Sequence, residues 1–218
     1  MSGRQTRLII DRAPQEETVS ARRERILDAA RGVIVREGYA GVSMHAIARA
    51  AGVTRPGLYA EFGDRDEVFA ALLDREKAKV VQMASTATPM IAPGADPADM
   101  VVGLAMDAVD IYLDLVLSAP QTWQLVLMTG DGLPAAAHDR IENGRNEIRQ
   151  QLEAAISALA ALREQQIDAE LLSHAVLSAG ETGARLALAD GGAQRDAVAR
   201  TLRWMVRRMT EAALAMEA

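Results

Sequence analysis

Between Met44 and Phe62 two short apolar-patterned segments meet at a single glycine, Gly52, and this arrangement constrains the chain more than any other stretch of it. For two helices to cross closely at a steep angle, the first needs a small side chain at the contact and the turn needs a residue at ease at positive φ. Both helices also need inward apolar positions. Ala48, Gly52 and Leu58 meet these demands, with Ile47, Ala51 and Val53 completing the buried side. Ser43 and Thr54 are suited to cap the two segments by accepting a bond from an orphan backbone N–H, and Pro56 is tolerated in a first turn. The spacing predicts a helix-turn-helix. Its second helix presents Thr54, Arg55, Gly57 and Tyr59 from its N-terminal half, where free N–H groups and the positive dipole end favour phosphate.

Helical periodicity continues on both sides. Ile26, Ala29, Ala30, Val33 and Ile34 form one stripe of a helix that starts near Ala21 and stops at Gly38. Asp64 to Glu67 has capping-box spacing ahead of Val68, Phe69, Leu72 and Leu73, and that helix can continue past Met83 as a connecting rod. After a proline-containing break from Thr88 to Pro97, further helices are expected at about 97–118, 122–128, 134–163, 168–189 and 195–216. Composition agrees: 42 alanines against seven aromatic residues suit packed helices, whereas a β-sandwich wants β-branched and aromatic side chains. The expectation is an all-α fold of about nine helices, with a mobile tail over residues 1–19, a three-helix head over 20–65 and a helical bundle over 66–218.

The net charge of −6 conceals an asymmetry. Residues 1–63 carry ten Arg and Lys against seven Asp and Glu, net +3, and the remainder carries fourteen against twenty-three, net −9. A basic end on an acidic body suits nucleic-acid binding, although an excess this small also arises by chance. With no cysteine, a disulfide scaffold is excluded. No signal-peptide core is present, and Asp107, Asp110 and Asp114 interrupt the most apolar stretch, so the reading is a cytoplasmic protein with no membrane partner.

In uninterrupted order, Arg25-Ile26-Leu27-Asp28-Ala29-Ala30, Glu37-Gly38-Tyr39, Ile47 to Val53, Leu58-Tyr59 with Phe62, and Glu67-Val68-Phe69 resemble the N-terminal domain of the tetracycline-repressor (TetR) family of transcription regulators. The resemblance covers about residues 22–75; beyond it only length and helix count agree. It implies an all-α homodimer whose two heads bind a palindromic double-stranded DNA operator, and a C-terminal bundle holding a largely apolar small-molecule effector that releases a repressor. Carried over by position, Thr54, Arg55 and Gly57 face the major groove, Tyr59 meets a phosphate, Ser43 and His45 contact DNA at the start of the preceding helix, and Arg65 touches the backbone. Glu61 departs from the pattern, because it stands where many members carry histidine and a carboxylate repels phosphate. It keeps open an alternative: a helical ligand-binding or scaffold protein whose head no longer binds DNA. Tyr59 likewise has two readings, a phosphate contact or half-buried packing.

The body offers weaker signals. Met83, Met106, Tyr112, Trp123 and Met128 are candidates to line an effector cavity or simply to fill core. Small residues Ala179, Thr182 and Gly183, with Leu186 and Trp204, are candidates for a four-helix dimer interface or for an intrachain core. Asp107, Asp110 and Asp114 make either a cation-binding wall or a solvated face, and His138 with Glu142 is two ligands short of a metal site. No catalytic, cofactor or metal motif appears, so neither an enzyme nor a cofactor is expected.

Overall fold

The computed structural model describes residues 18–86, 97–128, 133–162 and 167–214. The tail expected over 1–19 falls outside them except for Thr18 and Val19, as do the break before Pro97 and the loop at 130–132. Within the described residues the chain forms nine α-helices: α1 (Val19–Gly41), α2 (Met44–Ala51), α3 (Arg55–Glu61), α4 (Arg65–Thr86), α5 (Pro97–Ser118), α6 (Pro120–Val126), α7 (Ala135–Leu162), α8 (Ala169–Ala189) and α9 (Arg195–Leu214). No helix among them is long and apolar enough to cross a membrane.

Local chemistry explains most boundaries. Thr18, Ser43, Thr54 and Asp168 accept bonds from the backbone N–H three residues on and so start α1, α2, α3 and α8. At α4 Asp64 caps the helix by accepting from the Glu67 N–H at 2.8 Å, and Glu67 reaches back one residue beyond the cap to accept from the Gly63 N–H at 2.8 Å. Gly38 is non-helical at φ 69° and ψ 162°, so the predicted end of the first helix survives as a break before one last turn carrying the buried Tyr39. α6 begins two residues ahead of the expected 122–128, because Pro120 has the φ a first helical turn needs.

Gly52 closes α2 in the left-handed region, φ 64° and ψ 30°. Its N–H reaches Arg49 O at 3.3 Å and the Val53 N–H reaches Ala48 O at 3.0 Å, the paired bonds that satisfy the last carbonyls of a helix. That turn sets α3 against α2 and buries Ile47, Ala48, Ala51 and Leu58.

The head does not end where α4 begins. Its core combines Ile26, Ile34, Ile47, Leu58 and Phe62 with Val68, Phe69 and Leu72 of α4, and continues without a gap to Leu125 of α6 and to Ala137 and Ile141 of α7. Two smaller cores hold the body: Leu113 of α5 packs with Ala187 of α8 and Ala199 and Leu202 of α9, and Val116 packs with Trp123 of α6 and Ala184.

Polar ties reinforce these contacts. Asp110 is drawn out of a solvated face, with Arg195 at 3.1 Å and Arg203 at 2.9 Å, while Asp114 stays exposed and meets Arg195 at 2.7 Å; together these pairs clamp α9 to α5. Glu181 receives Arg145 of α7 through two bonds, at 2.6 and 2.9 Å. Glu76, fully buried on α4, accepts from Arg75 at 2.7 Å, from Lys79 at 3.1 Å and from Arg31 of α1 at 3.4 Å, and also from the Thr122 hydroxyl of α6. Arg75 extends the network to Glu24 and Asp28 of α1, at 2.9 and 3.0 Å.

Two outcomes follow from these geometries. Gly52→Ala puts a Cβ into a left-handed conformation and should lower stability by about 1–2 kcal/mol, read as a lower urea midpoint at unchanged slope. Burial pushes the Glu76 carboxyl upward, but its hydrogen bonds with Thr122, Arg75 and Lys79 outweigh that and hold it below its ordinary 4.5. A depressed native value means stability that is fully present above the unfolded-state value and is lost as pH falls through the native one. Glu76→Gln should therefore reduce stability at neutral pH by about 3 kcal/mol, since it leaves the facing arginines underpaired. It should also flatten the acid limb below pH 4.5 in denaturation measured across pH.

Candidate nucleic-acid interface

Capping fixes what each side chain of the helix-turn-helix has left to offer. Thr54 Oγ1 accepts from the Gly57 N–H at 3.2 Å, which leaves its own hydroxyl proton to donate outward. Gly57 protects that cap: a Cβ there would stand 3.1 Å from Thr54 Oγ1, tighter than ordinary contact. Ser43 Oγ is engaged in the same way with Ala46, and His45 is exposed one residue into α2. Arg55 is exposed at the first position of α3, and Tyr59, 53% exposed, stands outside the head core.

Two residues behave differently from their motif positions. Glu61 is directed at α1, where Arg23 meets it at 3.0 Å with the carboxylate side chain only 15% exposed, and the Arg23 guanidinium also lies 4.3 Å from the Phe62 ring centre. The charge that threatened phosphate binding is thus paired inside the head. Arg65 is also turned inward. It donates to Val42 O at 3.2 Å and stacks over the Tyr39 ring at 4.3 Å, so it holds the backbone just ahead of the Ser43 cap. Tyr39 in turn donates to Asp66. Burial, helped by that acceptor, pushes its phenol up to about 12, so the hydroxyl keeps its proton through physiological pH.

Arg49 adds a cation that no motif position marks. It is exposed in the last turn of α2, and it and Arg55 form no ion pair among the described residues. The available signal was its position within the α2 segment, on the side away from Ile47, Ala48 and Ala51.

In the body, Tyr112 and Trp123 come together edge to face with centroids 5.4 Å apart. Tyr112 donates to Gly180 O at 3.2 Å, and burial pushes its phenol well up. The buried Trp123 indole N–H meets no acceptor among the described residues. Met128 packs on the head core, while Met83 and Met106 are half-buried on α4 and α5. A separate cleft of about 430 Å³ lies among α5, α7, α8 and α9, and none of these five residues lines it.

Of the interface candidates, Thr182, Leu186 and Trp204 are exposed, the last two by 49% and 62%. Ala179 is half-buried against the α5–α8–α9 core. Gly183 serves the chain's own packing: a Cβ there would come within 2.8 Å of Leu202 and 3.1 Å of Val198, so its smallness lets α8 and α9 approach. His138 is exposed, and Glu142 is held by Arg145 at 2.9 Å.

A helix-turn-helix head built onto a larger helical body defines the class of all-α proteins to which the described residues belong. Residues 26–72 match the family model described as bacterial regulatory proteins, tetR family. The chain's fold is similar to a TetR-like transcriptional regulator from Rhodococcus sp. RHA1, at 26% identity over 90% of this chain and 97% of that one with a TM-score of 0.68. It is also similar to a TetR transcription regulator from Haloarcula marismortui, at 18% identity, 88% and 98% coverage and a TM-score of 0.64. The SmeT–triclosan complex matches at 21% identity, 88% and 91% coverage and a TM-score of 0.62. These last two likenesses concern the fold alone. Among curated proteins no sequence match was found.

The inward role of Arg65 has a measurable consequence. Arg65→Ala should lower the melting temperature of the DNA-free protein, with a loss of about 1–2 kcal/mol from one hydrogen bond and one stacking contact. A residue acting only on the DNA backbone would leave that melt unchanged.

Proposed function

We propose that this protein is a ligand-responsive transcriptional repressor of the cytoplasm. A homodimer binds a palindromic operator through α3 of each head and is released by a small molecule held in the C-terminal bundle. The observation that carries the reading is the capped α2–α3 unit, which offers His45, Arg49, Arg55 and Tyr59 to the exterior while the carboxylate of α3 is tied to Arg23. That tie also removes the sequence feature that favoured a head without DNA binding. In this reading Arg55 contacts guanine O6 and N7, Tyr59 and Arg49 meet phosphate, and Ser43, Thr54 and Gly57 hold the backbone geometry from which they reach. Arg65 positions the entry to α2.

Two further observations support the finer points. Leu186 of α8 and Trp204 of α9 leave apolar surface exposed beside Thr182, which suits a face covered by a second copy. The fold neighbour SmeT is described in complex with triclosan, a precedent on this fold for holding a small molecule. For a dimer the half-site centres should lie about 34–36 Å apart, or a multiple of that, when bound. An effector that favours another head separation then releases the operator.

Fluorescence anisotropy with fragments from upstream of the protein's own gene, titrated at several salt concentrations, tests the reading. Saturable, sequence-selective binding that weakens steeply with salt is the expected result. Arg55→Ala should cost about 1–3 kcal/mol of discrimination against a wrong base, whereas Tyr59→Phe should weaken specific and random DNA alike. Absence of sequence-selective binding on every fragment would sink the proposal.

A further inference from the structure

The cleft among α5, α7, α8 and α9 has a chemistry of its own. Small side chains contribute to its wall, Ala105 on α5 and the solvent-facing Ala155 and Ala158 on α7. Its volume, about 430 Å³, lies within the range of small-molecule sites. Among the described residues every wall position is apolar except Thr210 of α9, whose side chain is buried. The wall includes Met209, a flexible thioether that adapts to irregular shapes. The charged residues one turn away on α7, Arg149 and Glu153, satisfy each other at 2.7 Å. None of the described wall residues balances a ligand charge, and an ion brought against this apolar wall gives up part of its hydration with no counter-charge in return.

We propose that this cleft is the small-molecule site of the protein and that it takes an uncharged, largely hydrocarbon ligand with one polar group set against the Thr210 hydroxyl. The assignment rests on the regulator reading only where the ligand is called an effector; the binding itself does not depend on it. It also separates the ligand site from the Tyr112–Trp123 cluster, which packs among Val116, Ala184 and Leu188.

The test uses two fluorescent probes sharing one skeleton, neutral N-phenyl-1-naphthylamine and its anionic counterpart 8-anilinonaphthalene-1-sulfonate, titrated into the full-length protein. The neutral probe should saturate at one site per chain and bind at least about tenfold more tightly than the sulfonate, which must shed hydration at an uncompensated site. Ala155→Phe, which fills the cleft, should weaken the neutral probe by about tenfold or more while circular dichroism and melting stay those of the parent. Ala158→Leu, a smaller insertion, takes its place if that variant does not fold. Equal or tighter binding of the sulfonate overturns the proposal, as does a folded, filled variant with unchanged affinity for the neutral probe. Operator binding measured on the same preparations separates the two readings. Probe binding without any selective DNA binding fails the regulator reading alone, and selective DNA binding without probe binding fails the ligand site alone.

Discussion

A carboxylate with no access to water ties the head of this protein to its body. An isolated buried charge costs several kcal/mol, and Glu76 is tolerable only because Arg75 and Lys79 of its own helix, Arg31 of α1 and Thr122 of α6 converge on its two oxygens. The geometry of three helices is thereby interdependent. A displacement of α6 must carry α1 with it or leave the carboxylate underpaired. The apolar core makes the same link, since Leu125 of α6 and Ile141 of α7 are buried in the cluster that holds the helix-turn-helix. The helix-turn-helix unit is therefore not a module hung on a linker.

Charge inside the head is mostly committed to structure. Arg23 neutralises Glu61 and covers Phe62, Arg31 and Arg75 serve Glu76, and Arg65 holds the Val42 carbonyl. The modest positive balance of residues 1–63 is thus a poor measure of what faces outward. What matters is which guanidinium groups remain without an acidic partner, and on the α2–α3 unit these are Arg49 and Arg55.

Legibility in the sequence followed the range of the interaction. Helix ends set by Ser43, Thr54, Asp64 with Glu67, Pro97 and Gly52 were readable because each depends on atoms within four or so residues. The roles of Glu61 and Arg65 were not, because each is decided by a partner 38 or 23 residues away. The pairing of Asp110 is hidden from the sequence for the same reason: its partners, Arg195 and Arg203, stand on the last helix. The cleft was the least legible feature. It is made by what four helices fail to fill, and an alanine that lines a cleft looks the same in sequence as one that permits close packing.

Taken alone, the sequence determined the all-α class, the order and approximate limits of the helices, and the helix-turn-helix, since periodicity, capping and the glycine turn are local properties of the chain. Only the tertiary structure decided that α4, α6 and α7 complete the head's core, that Glu61 is paired and that Arg65 points inward. It alone also decided that Gly183 serves the chain's own α8–α9 contact. Each of these depends on which surfaces meet in space, and burial turns such meetings into requirements because a charge or a cavity removed from water must find its complement in another helix.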